Sequence, residues 1–290
     1  MIKNIIPFIS DILGEKIESS KPLSGGSISS AYLINTTCSK YFLKVNSAAN
    51  ALKMFHEEQK GLNAIESTNT ISVPYVYLVD ILDKNAFIMM DYIESKRPNP
   101  ADYSRLGSEL SKLHQISYNE YGFSTDNFIG SLPQSNKKHA NWSDFYWSER
   151  ISPQMHLALK EGLLNVEEVP TEDQFKSLFN SFIDEFKPSL LHGDLWGGNY
   201  LISADGAPFL IDPAVYIGHN MVDIAMSQLF GSFGQEFYNS YHEIIERPKY
   251  YNEQIDLYQL YYLLVHLNLF GKGYYSSVST ILSRYFQNSK

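Results

Sequence analysis

The stretch HGDLWGGNYLISADGAPFLIDP, His192 to Pro213, decides how the rest of the 290-residue chain is read. Asp205-Gly206 is a strong hairpin-turn pair, and Tyr200 to Ser203 and Pro208 to Ile211 read as the strands on either side of it. With these two residues at the turn centre, Asn199 falls opposite Asp212. Directly opposed residues of an antiparallel pair share a face, with Cβ atoms about 4.5 to 5.5 Å apart. An amide oxygen beside a carboxylate is a donor pair for a hard cation. Magnesium takes a few oxygen ligands and completes its shell with water and phosphate oxygens, so two protein donors suffice. Asp194 precedes Asn199 by five positions on a glycine-bracketed loop, where a carboxylate can take a proton from an incoming hydroxyl without binding the metal. An Asp, an Asn five residues on and a second Asp on the far strand form the arrangement that phosphoryl transfer requires. The same residues also fit a hairpin whose open end ties off backbone donors.

The chain upstream bears on that choice. YFLKV alternates as a strand, placing Tyr41, Leu43 and Val45 on one face and Phe42 and Lys44 on the other. From about Ala48 to Ser67 the period turns helical, with Ala51, Met54, Phe55, Leu62 and Ile65 as the apolar stripe and Glu58 inside it. Lys44 and Glu58 are awkward as isolated charges on faces that pack, since an unpaired buried charge costs several kcal/mol, and pairing removes the difficulty. A strand Lys held by a helix Glu aims an ammonium at nucleotide phosphates, and it equally fits a plain structural ion pair. Gly25-Gly26-Ser27 makes a turn whose amides can approach a phosphate, or only a turn. It is not a GxxxxGK loop, which argues against a P-loop nucleoside triphosphatase.

Val73-Pro74 and the run VYLVDILDKNAFIMMDYIE predict two more strands about a turn at Asp83 to Asn85. The second ends at Asp91 to Ile93, just before the Pro-punctuated connector SKRPNP. Residues 1–93 thus read as a β-rich unit with one helix. Residues 94–290 read as a larger, mainly helical unit, with predicted helices Tyr103–Gln115, Trp142–Glu161, Glu172–Phe186, Val222–Gly231, Gln235–Ile245 and Ile255–Leu269 and one short β segment between them. The expected class is α+β with two lobes. No internal repeat or low-complexity tract is evident.

Composition narrows the partners. Lys and Arg number 23 against 32 Asp and Glu, a net charge of −9, and the densest basic spot is only Lys137, Lys138, His139. Nucleic acid is therefore not an expected partner. The N-terminal MIKNIIPFISDILG is interrupted by Pro7 and Asp11 and does not read as a signal peptide. Leu257 to Phe270 carries Gln259, His266 and Asn268 and falls short of the roughly 20 apolar residues that span a bilayer, so it reads as a buried helix. No membrane partner is expected. The single cysteine, Cys38, leaves no internal disulfide and suggests a reducing, cytoplasmic setting. A monomer is the favoured state.

LLHGDLWGGN, IDPAVYIGH, LFGSF, VHLNLFGKGY and the early GGSIS with FLKVN together resemble the fructosamine kinase (ketosamine 3-kinase) family, from about Gly25 to Tyr274. That family is related to aminoglycoside and choline phosphotransferases and has a protein-kinase-like fold. The resemblance implies ATP- and Mg2+-dependent phosphorylation of a sugar hydroxyl in ketoamines, a deglycation repair. It makes Asp194 the base, Asn199 and Asp212 the magnesium ligands, Lys44 and Glu58 the phosphate-positioning pair and Gly25, Gly26 and Ser27 the phosphate-loop turn. Asp91 and Ile93 would meet adenine through their backbone. His192 reads as a loop brace, and Asp223 as a brace or helix cap. Trp196 reads as core packing or as a wall of the sugar pocket, and His219, His266 and Asn268 as candidate pocket residues. Two positions depart from the family pattern. Met221 stands where many members carry an acid after the GHx, and Ser27 stands where a cysteine is frequent. Two alternatives remain: an aminoglycoside, choline or other small-molecule kinase using the same site, and a nucleotide-binding regulatory module without transfer activity.

Overall fold

The computed structural model describes residues 2–23 and 29–287. Strands β1 (Ile17–Leu23), β2 (Ser30–Thr36), β3 (Lys40–Asn46), β4 (Val76–Leu82) and β5 (Asn85–Asp91) form one antiparallel sheet in the order β1-β2-β3-β5-β4. The alternation read in YFLKV sorts its residues onto two cores. Tyr41, Leu43 and Val45 join Ile34, Phe87 and Met89 under helix α1 (Ile2–Leu13), which seats Ile5 and Ile9 on the sheet. Phe42 packs on the opposite face with Ile88, Met90 and helix α2 (Ala51–Glu66), which contributes Ala51, Phe55 and Leu62. Each fully buried side chain of this kind is worth about 1.5–3 kcal/mol, which explains why α1 persists through Pro7.

After β5 the chain runs extended and lies against the body of the C-terminal part. The amide of Ala204 donates to Glu94 O (3.0 Å) and that of Lys96 to Ile202 O (2.8 Å). Helix α3 (Pro100–Gln115) then starts on a reciprocal Asn99–Asp102 capping box with Pro100 in the first turn. Strands β6 (Asn127–Ile129) and β7 (Leu132–Gln134) form a hairpin. Helix α4 (Trp142–Tyr146) passes through a π-turn, Trp147–Ile151, into α5 (Ser152–Lys160). Helix α6 (Glu172–Phe182) follows, opened by a Thr171–Gln174 capping box. Strands β8 (Ser189–Leu191), β9 (Tyr200–Ile202), β10 (Pro208–Leu210) and β11 (Tyr216–Gly218) pair as β9–β10 and β8–β11. Helices α7 (Met221–Leu229), α8 (Gln235–His242), α9 (Tyr251–Phe270) and α10 (Tyr275–Leu282) complete the element order. α9 is apolar nearly all round because it is the central helix, with Leu257, Tyr258, Leu260, Tyr262 and Leu264 wholly buried.

The expected helices are present, with shifted ends, but residues 1–93 hold two helices instead of the one expected, α1 lying across the Pro7-interrupted N-terminal stretch. Trp142 to Glu161 holds a π-turn, α6 stops at Phe182 instead of Phe186, and α9 begins at Tyr251, ahead of Ile255. The single β segment expected among the helices is corrected to three short two-stranded pairs among the described residues. Strands of three residues are too short to show a period of two. No helix among the described residues is long and apolar enough to cross a membrane. Cys38 is exposed and free.

Candidate active site

The site is built around the loop between β8 and β9. His192 is buried and bonded three ways. Its amide donates to Asp223 Oδ2 (2.7 Å), its Nδ1 accepts the Asp194 N–H (3.2 Å), and its Nε2 donates to Ile211 O (2.9 Å). That pattern needs a neutral imidazole, and burial lowers the pKa of His192 accordingly. The Gly193 amide donates to the other Asp223 oxygen (2.9 Å), and Tyr262 Oη donates to Gly193 O (2.8 Å). Asp223 is wholly buried and also faces His114 Nε2 at 3.2 Å, with Tyr241 Oη 2.8 Å from the other His114 nitrogen. His192 and Asp223 therefore both brace the loop. His114, Tyr241 and Tyr262 went unread in the sequence. The signal for His114 was the one that exposed Glu58: a titratable side chain on the apolar stripe of a helix, here beside Leu106, Leu110 and Leu113.

Asp194 follows on this braced loop. The Asn199 side-chain amide donates to Asp194 O (2.9 Å) and to its carboxylate (3.2 Å), which leaves the Asn199 amide oxygen to point elsewhere. Burial pushes the Asp194 pKa up to about 7, opposed by the Asn199 bond and assisted by the charge of Asp223.

The hairpin register differs from the expected one. Pairing of Tyr200 with Leu210 and Ile202 with Pro208 makes the loop three residues, Ala204 to Gly206, closed by the Ser203 N–H to Ala207 O bond (2.9 Å) with Gly206 at φ +87°. A third loop residue in the left-handed region is what a three-residue hairpin needs, and glycine supplies it without strain. Asn199 consequently accepts from the Ile211 amide (3.0 Å), and Asp212 lies one residue beyond the pair, its own φ at +54° turning the chain out of the strand. The side-by-side placement of Asn199 and Asp212 as opposed strand residues is thus corrected.

Asp212 instead meets the sheet. Lys44 Nζ contacts Asp212 Oδ1 and lies 2.7 Å from Glu58 Oε1, so a β3 lysine links an α2 glutamate to the carboxylate after β10. The Lys44 and Glu58 side chains are 13% and 14% exposed, and Asp212 keeps 42%, enough to meet a ligand. Among the described residues no cluster of three His, Cys, Asp or Glu could hold a metal. The donor set is one exposed carboxylate and one amide oxygen, which suits a magnesium ion sharing its shell with phosphates and water. Gly25, Gly26 and Ser27 lie outside the described residues.

The remaining expected residues divide. The Asp91 amide donates to Tyr75 O (3.0 Å), and its carboxylate takes the Tyr75 N–H and the Tyr77 hydroxyl. Ile93 is half-buried in the extended connector. Trp196 is 40% exposed, which rules out core packing. His219 is corrected from pocket to core. Its ring lies 3.9 Å from the Phe186 ring centre, its Nδ1 accepts from Tyr258 Oη (2.7 Å), and burial lowers its pKa to about 3. His266 bonds Tyr262 O (2.8 Å) among Phe230, Phe270 and Tyr274, and Asn268 donates to Gln154. Their contacts belong to helix packing. Met221 is buried in the first turn of α7.

Comparison with known proteins gives the same answer along the chain. The model of the family described as fructosamine kinase matches residues 1–288. A probable ketoamine kinase of Vibrio parahaemolyticus is 39% identical over 264 residues, 90% of each chain. A chloroplastic protein-ribulosamine 3-kinase of Oryza sativa subsp. indica is 38% identical over 281 residues, covering 95% of this chain and 81% of that one. Among solved structures, a protein of Haemophilus somnus 129PT assigned as a fructosamine-3-kinase superposes with a TM-score of 0.87 at 28% identity, over 99% of this chain and 98% of that one. An aminoglycoside phosphotransferase, solved with ADP and hygromycin B, gives 0.65 at 14% identity over 98% of this chain and 99% of that one, which establishes the shared protein-kinase-like fold. Relatives this close along nearly the whole length, together with a family match from end to end, make this chain a member of the fructosamine kinase family.

Proposed function

We propose that this protein transfers the γ-phosphoryl group of ATP, with magnesium, to a sugar hydroxyl of a ketoamine, the adduct left when a sugar glycates an amine, and so serves deglycation. The observation that carries this reading is the assembled set itself: Asp194 held by Asn199 on a braced loop, with Lys44 bound to both Glu58 and Asp212. The names of the relatives supply the acceptor class. Asp194 accepts the proton of the sugar hydroxyl, and a pKa near neutrality makes its carboxylate an effective base at physiological pH. Asn199 and Asp212 would hold magnesium, which when bound neutralises charge on the phosphates. Lys44, kept in place by Glu58, binds phosphate oxygens, with Gly25, Gly26 and Ser27 covering them. The Asp91 carbonyl and the Ile93 amide meet adenine, and exposed Trp196 forms a wall beside the sugar. Phosphoryl transfer in such a site rests on positioning and charge neutralisation, so no covalent enzyme intermediate is required. In this reading the lobes divide at residues 93 and 94, all the named groups come from one chain so that a monomer suffices, and free Cys38 suits a reducing cytoplasm.

The test is ADP release by the purified protein with ATP and magnesium on fructose-, ribulose- and erythrulose-amine adducts, an aminoglycoside and choline. Turnover is expected on a ketoamine, with Asp194→Asn slower by about 100- to 10,000-fold while ATP still binds. Silence across the panel with ATP bound, or an unimpaired Asp194→Asn, would overturn the reading. Turnover on choline or the aminoglycoside alone would replace the acceptor class.

A further inference from the structure

Glu57 and Glu58 are neighbours on α2 but serve different sides of it. Glu58 turns to the sheet and holds Lys44. Glu57, about 100° further round the helix, turns to the C-terminal part. There Thr125 Oγ1 donates to Glu57 Oε2 at 2.6 Å, and Lys60 pairs with Oε1 at 2.9 Å, leaving the Glu57 side chain only 9% exposed. Residues 53, 57 and 61 lie on one face of α2, four apart. Lys53 sits over the Phe128 ring at 5.8 Å. At Gly61 a Cβ would come 3.1 Å from Pro213 and 3.4 Å from Val215, so that face of the helix rests directly on the segment that follows Asp212.

The same segment is gripped by the β6–β7 hairpin that begins two residues after Thr125. Asn127 Nδ2 donates to Val215 O (2.8 Å) and Gln134 Nε2 to Ala214 O (3.2 Å), with Tyr261 Oη on the Gln134 oxygen (2.5 Å). The contacts close a ring. Lys44 reaches Glu58 and Asp212; α2 reaches Thr125 through Glu57; the hairpin returns through residues 214 and 215 to Asp212. The Thr125–Glu57 bond ties α2 to the segment that leads into the hairpin by a charge-assisted hydrogen bond, the kind roughly twice as strong as a neutral one.

We infer that Thr125 and Glu57 are positioning residues, which hold α2 at the angle from which Glu58 keeps Lys44 on the nucleotide phosphates. The inference rests on the kinase reading of the Lys44 site. In many kinases the glutamate-bearing helix is set by a separate activation step, whereas here the hairpin sets it from within the fold. The β6–β7 hairpin thus has a task in catalysis although it supplies no group to the reacting atoms.

The experiment measures steady-state kinetics against ATP and against the ketoamine turned over best, with melting temperatures, for Thr125→Val, Thr125→Ser, Glu57→Ala and the Glu57→Ala/Thr125→Val double variant. Thr125→Val is isosteric and loses only the donor. Its kcat/KM for ATP should fall about tenfold, as expected for a lost hydrogen bond to a charged group, with the acceptor KM at saturating ATP unchanged. Thr125→Ser should restore the wild-type value, and the double variant should be no worse than the poorer single one, because both changes break the same bond. An unchanged kcat/KM for ATP in Thr125→Val would overturn the inference. So would a loss shared equally by the acceptor KM and the melting temperature, which marks a merely structural bond. Lys44→Met separates the two failures. If it is inactive while Thr125→Val is normal, the clamp is wrong and the site stands; if it is fully active, the site reading itself falls.

Discussion

Gly193 occupies the residue position on which the geometry of the loop turns. Its φ is +81°, and a Cβ there would come 2.1 Å from Ala214 O, a main-chain atom that cannot swing aside. Any other residue meets two penalties, about 1–2 kcal/mol for the left-handed backbone and a collision that must push the 212–214 segment away. Asp194 is the next residue, and Asp212 begins the segment that would be pushed. Gly193→Ala should therefore abolish turnover and lower the melting temperature by more than about 5 °C, taking roughly 2–4 °C per kcal/mol. ADP release and a thermal melt check it, and an active, equally stable variant would show that the loop tolerates the shift. The carboxylates and amide of the site were legible at this scale because charge on an apolar stripe and the spacing from Asp194 to Asn199 are visible in one dimension. The strand pairing was not, because Asp205-Gly206 suits both a two-residue turn and the last two places of a three-residue one, and the choice shifts every opposed pair by one.

Among the elements, those of long period were legible and the short ones were not. Strands β3, β4 and β5, α2 and α9 declared themselves by alternation, by an apolar stripe or by a long apolar run. The β6–β7 hairpin did not, since its strands are three residues each and its stability comes from tertiary contacts. Arg150 anchors the two residues that follow β7. It is wholly buried in the π-turn, donates to Ser135 O and to Asn136 Oδ1 at 2.6 Å each, and lies 3.9 Å from the Tyr216 ring centre and 4.7 Å from that of Phe145. A planar, multi-donor cation between two rings is the part that lysine cannot play. Arg150→Lys should cost about 2 kcal/mol or more from the stacking alone, through a desolvated cation–π contact. The amides of Asn127 to Gln134 should exchange faster with deuterium while those of β3 and β5 are unchanged. Uniform exchange across both regions would mean that Arg150 supports the whole fold and not this hairpin.

At the scale of the whole molecule, stability depends on two core histidines of the C-terminal part that must stay neutral. His192 and His219 are buried, each offers Nδ1 as an acceptor, and each has its pKa lowered by burial, His219 to about 3. In the unfolded chain both would titrate near 6.5. The folded state therefore binds fewer protons than the unfolded state below that pH. The contribution to stability is complete above about 6.5 and is lost as the pH falls toward the folded values, at about 1.4 kcal/mol per pH unit for each histidine once the unfolded form is charged. In the window from about pH 6.5 to 5 Asp194 titrates with the opposite sign, because its pKa of about 7 lets the folded state hold a proton that the unfolded chain lacks, and it offsets about one histidine; the change of slope on removing His219 therefore carries the test. Urea unfolding at points across the window should show stability falling with pH. His219→Gln keeps an acceptor for the Tyr258 hydroxyl and removes the titration, so its slope should be shallower by up to one proton. An identical slope in that variant would mean that His219 takes up its proton without unfolding, and that the cluster of Phe186, His219 and Tyr258 can open to water while the lobe stays folded.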